Sequence, residues 1–320
     1  MKVLVTGADG FVGRRLVGTL YDGGFSVLGS VRRMEASLPL GVELANVGDL
    51  RCSPQWGSTL KSVDAVVHLA ARAHIVDERS RNPIAEFREV NVRPTFSLFQ
   101  ACQSAAVARF VFVSSIGVNG VSTHGRPFSE LDDPNPVEAY GQSKWEAEQG
   151  LRELQKRGST EVVIVRPALI YGPRARGNFL KLMRWVDRGW LMPFGSLYAT
   201  RSFLSLTYFC DLLMRCLTDV NAANQLFLAA DPEPISTVGM VQAIAHSMHR
   251  HARLIRASPH LLRLLGYVTG RSREVNRLTA SLVVDSSKAR AVLDWPDSSS
   301  FVFDVQGMVE EYLRTKNVGE

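Results

Sequence analysis

The chain has 320 residues, 46% of them hydrophobic and 21% charged, which excludes a disordered or fibrous protein and leaves ample material for a core. Its net charge of +6 comes without zinc-finger spacing, a helix-turn-helix pattern or a basic zipper, so nucleic acid is not an expected partner. Four scattered cysteines with no metal or disulfide spacing, no apolar run long enough for a bilayer, and an opening directly on a strand pattern predict a soluble, reduced, cytoplasmic protein.

In chain order, short β-branched runs at 2–6, 26–31, 65–70, 110–114 and 162–166 alternate with helical patterns at 12–21, 84–103 and 139–155. Strict alternation of this kind predicts an α/β fold, a Rossmann-type doubly wound parallel sheet covered on both faces. Apolar runs such as Val111-Phe112-Val113 agree, because parallel strands are buried on both sides. After Pro167 turn signals multiply, and short strands return at 203–206, 225–229 and 282–284. The expected organisation is a dinucleotide-binding domain over 1–170, with returns near 203–230 and 282–285. Residues 171–320 form mainly a smaller, interleaved substrate lobe.

Gly7-Ala8-Asp9-Gly10-Phe11-Val12-Gly13 follows the first strand and opens a helix. Glycines there permit a tight turn and close approach of a pyrophosphate to the helix amino terminus. The second strand ends Ser30-Val31-Arg32-Arg33 with no carboxylate before Glu35. A carboxylate would favour the 2′-hydroxyl of NAD(H); Ser30 and two guanidiniums instead suit a 2′-phosphate, so NADP(H) is the expected cofactor and NAD(H) the alternative. Asp49-Leu50, following a short strand, is placed to meet the adenine. Small residues in Leu69-Ala70-Ala71 would let the dinucleotide pass, and His74 lies near the expected mouth of the cleft.

Tyr140 and Lys144 are four residues apart and share a helical face. A free phenol has a pKa near 10; an adjacent ammonium is expected to lower it into a useful range for moving a proton. Ser114 and Ser115 follow the strand at 110–114, at the carboxyl edge of the sheet where ligands bind.

Together the glycine turn, Asn91-Val92, Ser114-Ser115, Tyr140-x-x-x-Lys144 and Arg166-Pro167 resemble, in order and spacing, the extended short-chain dehydrogenases/reductases. Within them the chain looks most like the NAD-dependent epimerase/dehydratase branch that includes UDP-glucose 4-epimerases. Gly177-Asn178-Phe179, Pro193-Phe194-Gly195 and Arg201-Ser202-Phe203 resemble its bacterial polysaccharide 4-epimerases and 4-ketoreductases. The resemblance implies Tyr140 as acid/base and Lys144 as its tuner and ribose anchor. It implies Ser115 on the substrate hydroxyl with Ile116 beside it, and Asn91 as the active-site asparagine. Ser114 and Pro167 would border the cofactor. Asn178, Arg201 and one of Arg273 or Arg277 would hold the diphosphate of a UDP-sugar.

Three departures stand out: Asn119 where many relatives carry tyrosine, Pro94 in place of a common glycine, and the missing carboxylate after the second strand. The last favours an exchanged, reducing cofactor. The expected activity is therefore a 4-ketoreductase of a UDP-4-keto-6-deoxy-N-acetylhexosamine in surface polysaccharide synthesis. The alternatives are a UDP-glucose or UDP-GlcNAc 4-epimerase with bound NAD, and a non-catalytic NAD(P)-binding regulator. His246, His249 and His251 share no clean helical face with a further ligand, and no metal site is expected. The arginine- and leucine-rich stretch 249–277 reads as an amphipathic helix, basic face in solvent, with weak contact to an anionic membrane as the sharper reading. Helices 84–103 and 139–155 resemble those that pair family members into homodimers.

Overall fold

The computed structural model describes all residues except 34–37, 53, 55, 73–81, 176, 271, 298–300 and 319–320; at 259, 265, 272–274, 302, 303, 317 and 318 it describes the backbone alone. The chain begins β1 (Lys2–Thr6), α1 (Phe11–Asp22), β2 (Ser26–Val31), β3 (Glu43–Asn46), α2 (Trp56–Thr59) and β4 (Ala65–His68). It continues α3 (Pro83–Asn91), α4 (Arg93–Ser104), β5 (Arg109–Val113), α5 (Ala139–Gln155) and β6 (Glu161–Pro167). With β10 (Leu226–Ala229), these strands form a seven-stranded sheet in the order β10-β6-β5-β4-β1-β2-β3, every pair parallel.

Alternation along each central strand feeds two separate cores. Val3, Val5, Val111, Val163 and Val165 join the cluster under α1 and α7 (Leu206–Thr218). Their neighbours Leu4, Phe110, Phe112, Val162 and Ile164 point the other way, into the cluster under α4 and α5. This is the two-sided burial that near-continuous apolar strands imply. The strand order turns around between β4 and β1, and the crevice beyond their carboxyl ends is where such sheets bind ligands.

Between β6 and β10 the chain makes β7 (Leu169–Tyr171), α6 (Asn178–Asp187), β8 (Thr200–Arg201) and β9 (Phe203–Ser205) before α7. After β10 come β11 (Ile235–Ser236), α8 (Thr237–Ser247), α9 (Pro259–Val268), α10 (Ser272–Thr279), α11 (Ser287–Leu293) and α12 (Phe301–Val318). Tyr171, Phe179, Met183, Phe203, Met240 and Ile244 anchor a third apolar core in this later part, and Phe11 packs against both it and the sheet.

Several expected elements differ. The helix expected over 84–103 is two helices: α3 stops at Asn91 and α4 starts at Arg93, with Pro94 in its first turn. Pro94 has no N–H for the Val90 carbonyl and its ring crowds it, so one helix cannot run through. Residues 282–284 make isolated bridges, Leu282 to Arg201 and Val284 to Phe128, where a strand was expected. Leu206, expected at the end of a strand, opens α7, because Ser205 caps that helix by accepting from the Tyr208 N–H.

Candidate active site

At the end of β1, Gly7 takes φ +67°, and a Cβ there would stand 3.1 Å from the Ala70 backbone. The Gly10 N–H donates to the Gly7 carbonyl at 3.0 Å, closing the turn. A Cβ on Gly13 would lie 2.1 Å from that same carbonyl, so only glycine lets α1 start against the strand. No side chain caps α1 and its first turn carries no carboxylate. Its first amides and the positive end of its dipole are therefore presented to an anion. These residues fit the pyrophosphate of a dinucleotide.

The opposite wall is Leu69-Ala70-Ala71, each partly buried, with the Ala70 N–H donating to Thr6 Oγ1 at 3.1 Å. At the far end of β2, Ser30 is buried, its carbonyl accepting from Ala8 N, while Arg32 and Arg33 are exposed just beyond it. Asp49 is held by Arg51 through Nη2 at 2.6 Å and Nε at 3.1 Å. That pairing, with a smaller contribution from Arg32, lowers its carboxyl to about 2. Leu50 opens a short 3₁₀ turn beside it. Pro167 ends β6 and is buried.

The catalytic elements meet through two glycines. A Cβ on Gly141 would come 2.5 Å from the Gly117 carbonyl, so the loop after β5 lies directly on the first turn of α5. This brings the Ser115 loop to the turn carrying Tyr140. Ser115 Oγ accepts from the Gly117 N–H at 3.1 Å, a bond that leaves its own proton to donate. Ile116, next to it, is buried in the core. The Tyr140 ring leans on Phe87, centroids 5.9 Å apart. Lys144 is buried; its ammonium donates to the Val113 carbonyl at 2.9 Å and lies 4.7 Å above the Phe112 ring.

Burial dominates the protonation of this pair. It lowers the Lys144 ammonium to about 7, against an opposing pull from Glu148. It raises the Tyr140 phenol to about 12. The lowering of the phenol expected from the lysine is therefore not supplied by the protein matrix, because desolvation of the phenolate outweighs it.

Two buried networks hold these groups in place. In the first, Asn91 Oδ1 accepts from Arg72 N at 2.8 Å, and its Nδ2 donates to Arg72 O and to Ser143 Oγ. Asn91 thus ties the segment after β4 to α5, and all three bonds go to protein. The Thr95 hydroxyl donates to Asn91 O, so His68 Nε2 must donate to Thr95 Oγ1. His68 Nδ1 then accepts from Thr6 Oγ1, which in turn accepts from Ala70 N. This fixes one neutral tautomer. Burial, with Lys144 nearby, depresses the imidazole to about 3. In the second network Ser114 Oγ donates to Glu148 at 2.5 Å and Arg166 grips both Glu148 oxygens at 2.9 and 2.6 Å. The remaining guanidinium nitrogen donates to Asn119 Oδ1. Ser114 therefore faces this network through its side chain, and Asn119 fills the position of the common tyrosine as an acceptor for Arg166. Glu148, Ser143, Thr6 and Thr95 were not singled out in the sequence. For Glu148 the signal was there, one turn past Lys144 on the same face.

At the substrate end, Arg201 Nη1 donates to the carbonyls of Arg277 and Ala280, and the Arg277 guanidinium pairs with Glu138, the residue that precedes α5. Arg201 and Arg277 are thus brought together two residues from Tyr140. Burial first, then Arg277, lowers Arg201 to about 10. Asn178 is exposed at the start of α6, after Gly177 at φ +65°. His74 and the Arg273 side chain lie outside the described residues.

A family model described as the NAD dependent epimerase/dehydratase family matches residues 3–230. The chain belongs to that family. Its structure is that of an extended short-chain dehydrogenase/reductase, and it is an NAD(P)-dependent enzyme of that type. A UDP-glucose 4-epimerase of Vibrio cholerae is 37% identical over 99% of this chain and 97% of its own length. The N-acetyl-alpha-D-glucosaminyl-diphospho-ditrans,octacis-undecaprenol 4-epimerase of Escherichia coli O157:H7 is 29% identical over 83% of this chain and 77% of its own. Among solved structures, MoeE5 in complex with UDP-glucose and NAD superposes with a TM-score of 0.80 at 26% identity, covering 99% of this chain and 100% of that one. For this family member, the networks above explain how one helix holds Tyr140, Lys144 and the buried Glu148 together.

Proposed function

We propose that the protein moves a hydride and a proton across the C4–O bond of a UDP-linked hexose or N-acetylhexosamine. Its favoured direction is reduction, as an NADP(H)-dependent 4-ketoreductase of a UDP-4-keto-6-deoxy-N-acetylhexosamine in surface polysaccharide synthesis. The observation that carries this reading is the Gly117–Gly141 contact, which brings the Ser115 loop to the turn that carries Tyr140, one turn before Lys144. A nicotinamide cofactor held at the Gly7–Gly13 turn would supply the hydride to C4. Tyr140 gives its phenolic proton to the sugar oxygen as the new C–H bond forms, and Ser115 donates a hydrogen bond to that oxygen. Lys144 holds positive charge near the resulting phenolate and offers donors to the ribose. Asn91 positions α5 through Ser143, and Asn178, Arg201 and Arg277 take the diphosphate.

Exposed Arg32 and Arg33 beyond buried Ser30 support the NADP(H) preference, with Asp49 engaged by Arg51. A second reading, a 4-epimerase with tightly held NAD, is favoured by the Vibrio cholerae relative's 37% identity over nearly the whole chain. Incubating the purified protein with UDP-sugars and their 4-keto derivatives, with and without NADPH, separates the two. Oxidation of NADPH only when a 4-keto sugar is present supports the reductase. Epimer formation without added cofactor replaces it with the second reading. The surface of α3, α4 and α5 is the proposed homodimer interface, and sedimentation equilibrium at the mass of a monomer would reject it.

A further inference from the structure

The segment that leads into the diphosphate arginines presents its apolar residues to solvent. On α9, Leu262 turns inward to the third core, yet Leu261, Leu264 and Val268 share the opposite face at spacings of three and four. They are 51%, 60% and 74% exposed, and Tyr267 beside them is 78% exposed. A soluble helix ordinarily buries such a stripe. The strip running into α9 adds to it: Met192 pairs with Leu254, and Leu191 and Ile255 next to them are exposed. Trp190 is half exposed, with the Arg188 guanidinium 5.3 Å from its ring centroid.

The two segments that form this surface carry charge of one sign, and Arg250 among them is paired with Asp187 of α6. From 234 to 273 the sequence contains six arginines and no carboxylate, and from 188 to 210 it again contains none. Arg253, Arg256 and Arg263 are exposed on the strip and on α9 itself. Apolar rings and leucines bordered by guanidiniums match a bilayer interface with anionic head groups. A protein partner of ordinary composition would not require a carboxylate-free border of this length.

The surface also adjoins the substrate end. Helices α9 and α10 pack together, with Arg263 Nε donating to Thr279 Oγ1 at 3.3 Å. On α10, Arg277 meets Glu138 at the start of the catalytic helix. We infer that α9 docks the protein on an anionic membrane surface, so that a membrane-resident diphospho-sugar can reach Arg201 and Arg277. The docking stands on the exposed face alone; the presentation of a lipid-linked sugar rests on the reading of the site given above. A relative that acts on an undecaprenol-linked sugar is compatible with it.

Co-sedimentation of the full chain with phosphatidylglycerol/phosphatidylcholine vesicles at low and high salt tests the docking. Binding to these vesicles at low salt, and little binding to phosphatidylcholine alone, is expected. Arg253→Ser/Arg256→Ser should weaken it roughly 30-fold, and Leu261→Ser/Leu264→Ser/Tyr267→Ser should abolish it with the circular dichroism spectrum kept. No sedimentation of the wild type at low salt overturns the inference, as does equal binding by the triple variant. A wild-type dimer that the triple variant turns into monomers would assign the face to a second copy instead. Turnover of a soluble UDP-sugar should be the same in wild type and triple variant, while a polyprenyl-diphospho-sugar embedded in vesicles should be processed by the wild type only. Absence of soluble turnover in both would reject the site reading and leave the vesicle result standing.

Discussion

In the proposed function Tyr140 donates the proton, and burial holds its phenol near 12, so the hydroxyl stays protonated throughout the neutral range. Tyr140→Phe removes the hydroxyl alone. Turnover should fall about 10²- to 10⁴-fold, the usual range for a lost general acid, with an unchanged melting temperature; initial rates and a thermal scan check both halves. His68 acts differently, as a neutral strut between the end of β1 and α4. Its folded pKa of about 3 lies below the ordinary 6.5, so between those values the unfolded chain binds a proton that the folded chain refuses. The stability it contributes is complete above pH 6.5 and is lost as pH falls from there, at up to about 1.4 kcal/mol per pH unit. Asp231, which burial raises to about 6, works in the opposite sense: its stabilising effect is lost as pH rises toward that value. Urea denaturation of wild type and His68→Asn across pH 7 to 4 isolates the histidine, and the variant should show the shallower acid limb. Identical limbs would remove His68 from the acid response.

At the scale of elements, α5 is the organising piece. Its buried face presents Ser143, Lys144, Ala147, Glu148 and Leu151 at helical spacing. Periodicity placed this helix at 139–155, as observed. What periodicity could not convey is that Glu148 is polar and yet completely buried, matched by Arg166 arriving on β6. Glu148→Gln leaves a buried guanidinium with half its compensation and should cost about 3–5 kcal/mol in urea denaturation. Pairing it with Arg166→Met should recover part of that loss, since the stranded charge is gone. Gly141 is the other element-scale constraint. Gly141→Ala forces α5 off the Gly117 carbonyl and should lower stability by about 1–3 kcal/mol, together with a drop in kcat at unchanged cofactor affinity. A variant with full kcat would show that the contact does not set the catalytic geometry.

Over the whole molecule, a parallel sheet delivers the ends of β1, β4 and β5 to one edge, and the chain after β6 folds back to bring Arg201 and Arg277 to Glu138 before α5. A dinucleotide bound across that edge ties the parts together. A hundredfold excess over its Kd should stabilise the fold by about 2.7 kcal/mol, read as a rise in melting temperature. With NADPH and NADH compared at equal concentration, the larger rise is expected for NADPH and should disappear in Arg32→Ala/Arg33→Ala. The amino-acid sequence by itself determined the alternating strands and helices, the glycine turn, and the Tyr140/Lys144 face, because these are local: each depends on residues within a few positions of one another. Residues 282–284 forming bridges in place of a strand and the His68 tautomer were decided only by tertiary structure. Each depends on which distant backbone lies alongside, and for His68 on hydroxyls from β1 and α4. The balance of burial against charge at Tyr140 belongs there too, since desolvation is a property of everything packed around a group and not of its neighbours in the chain.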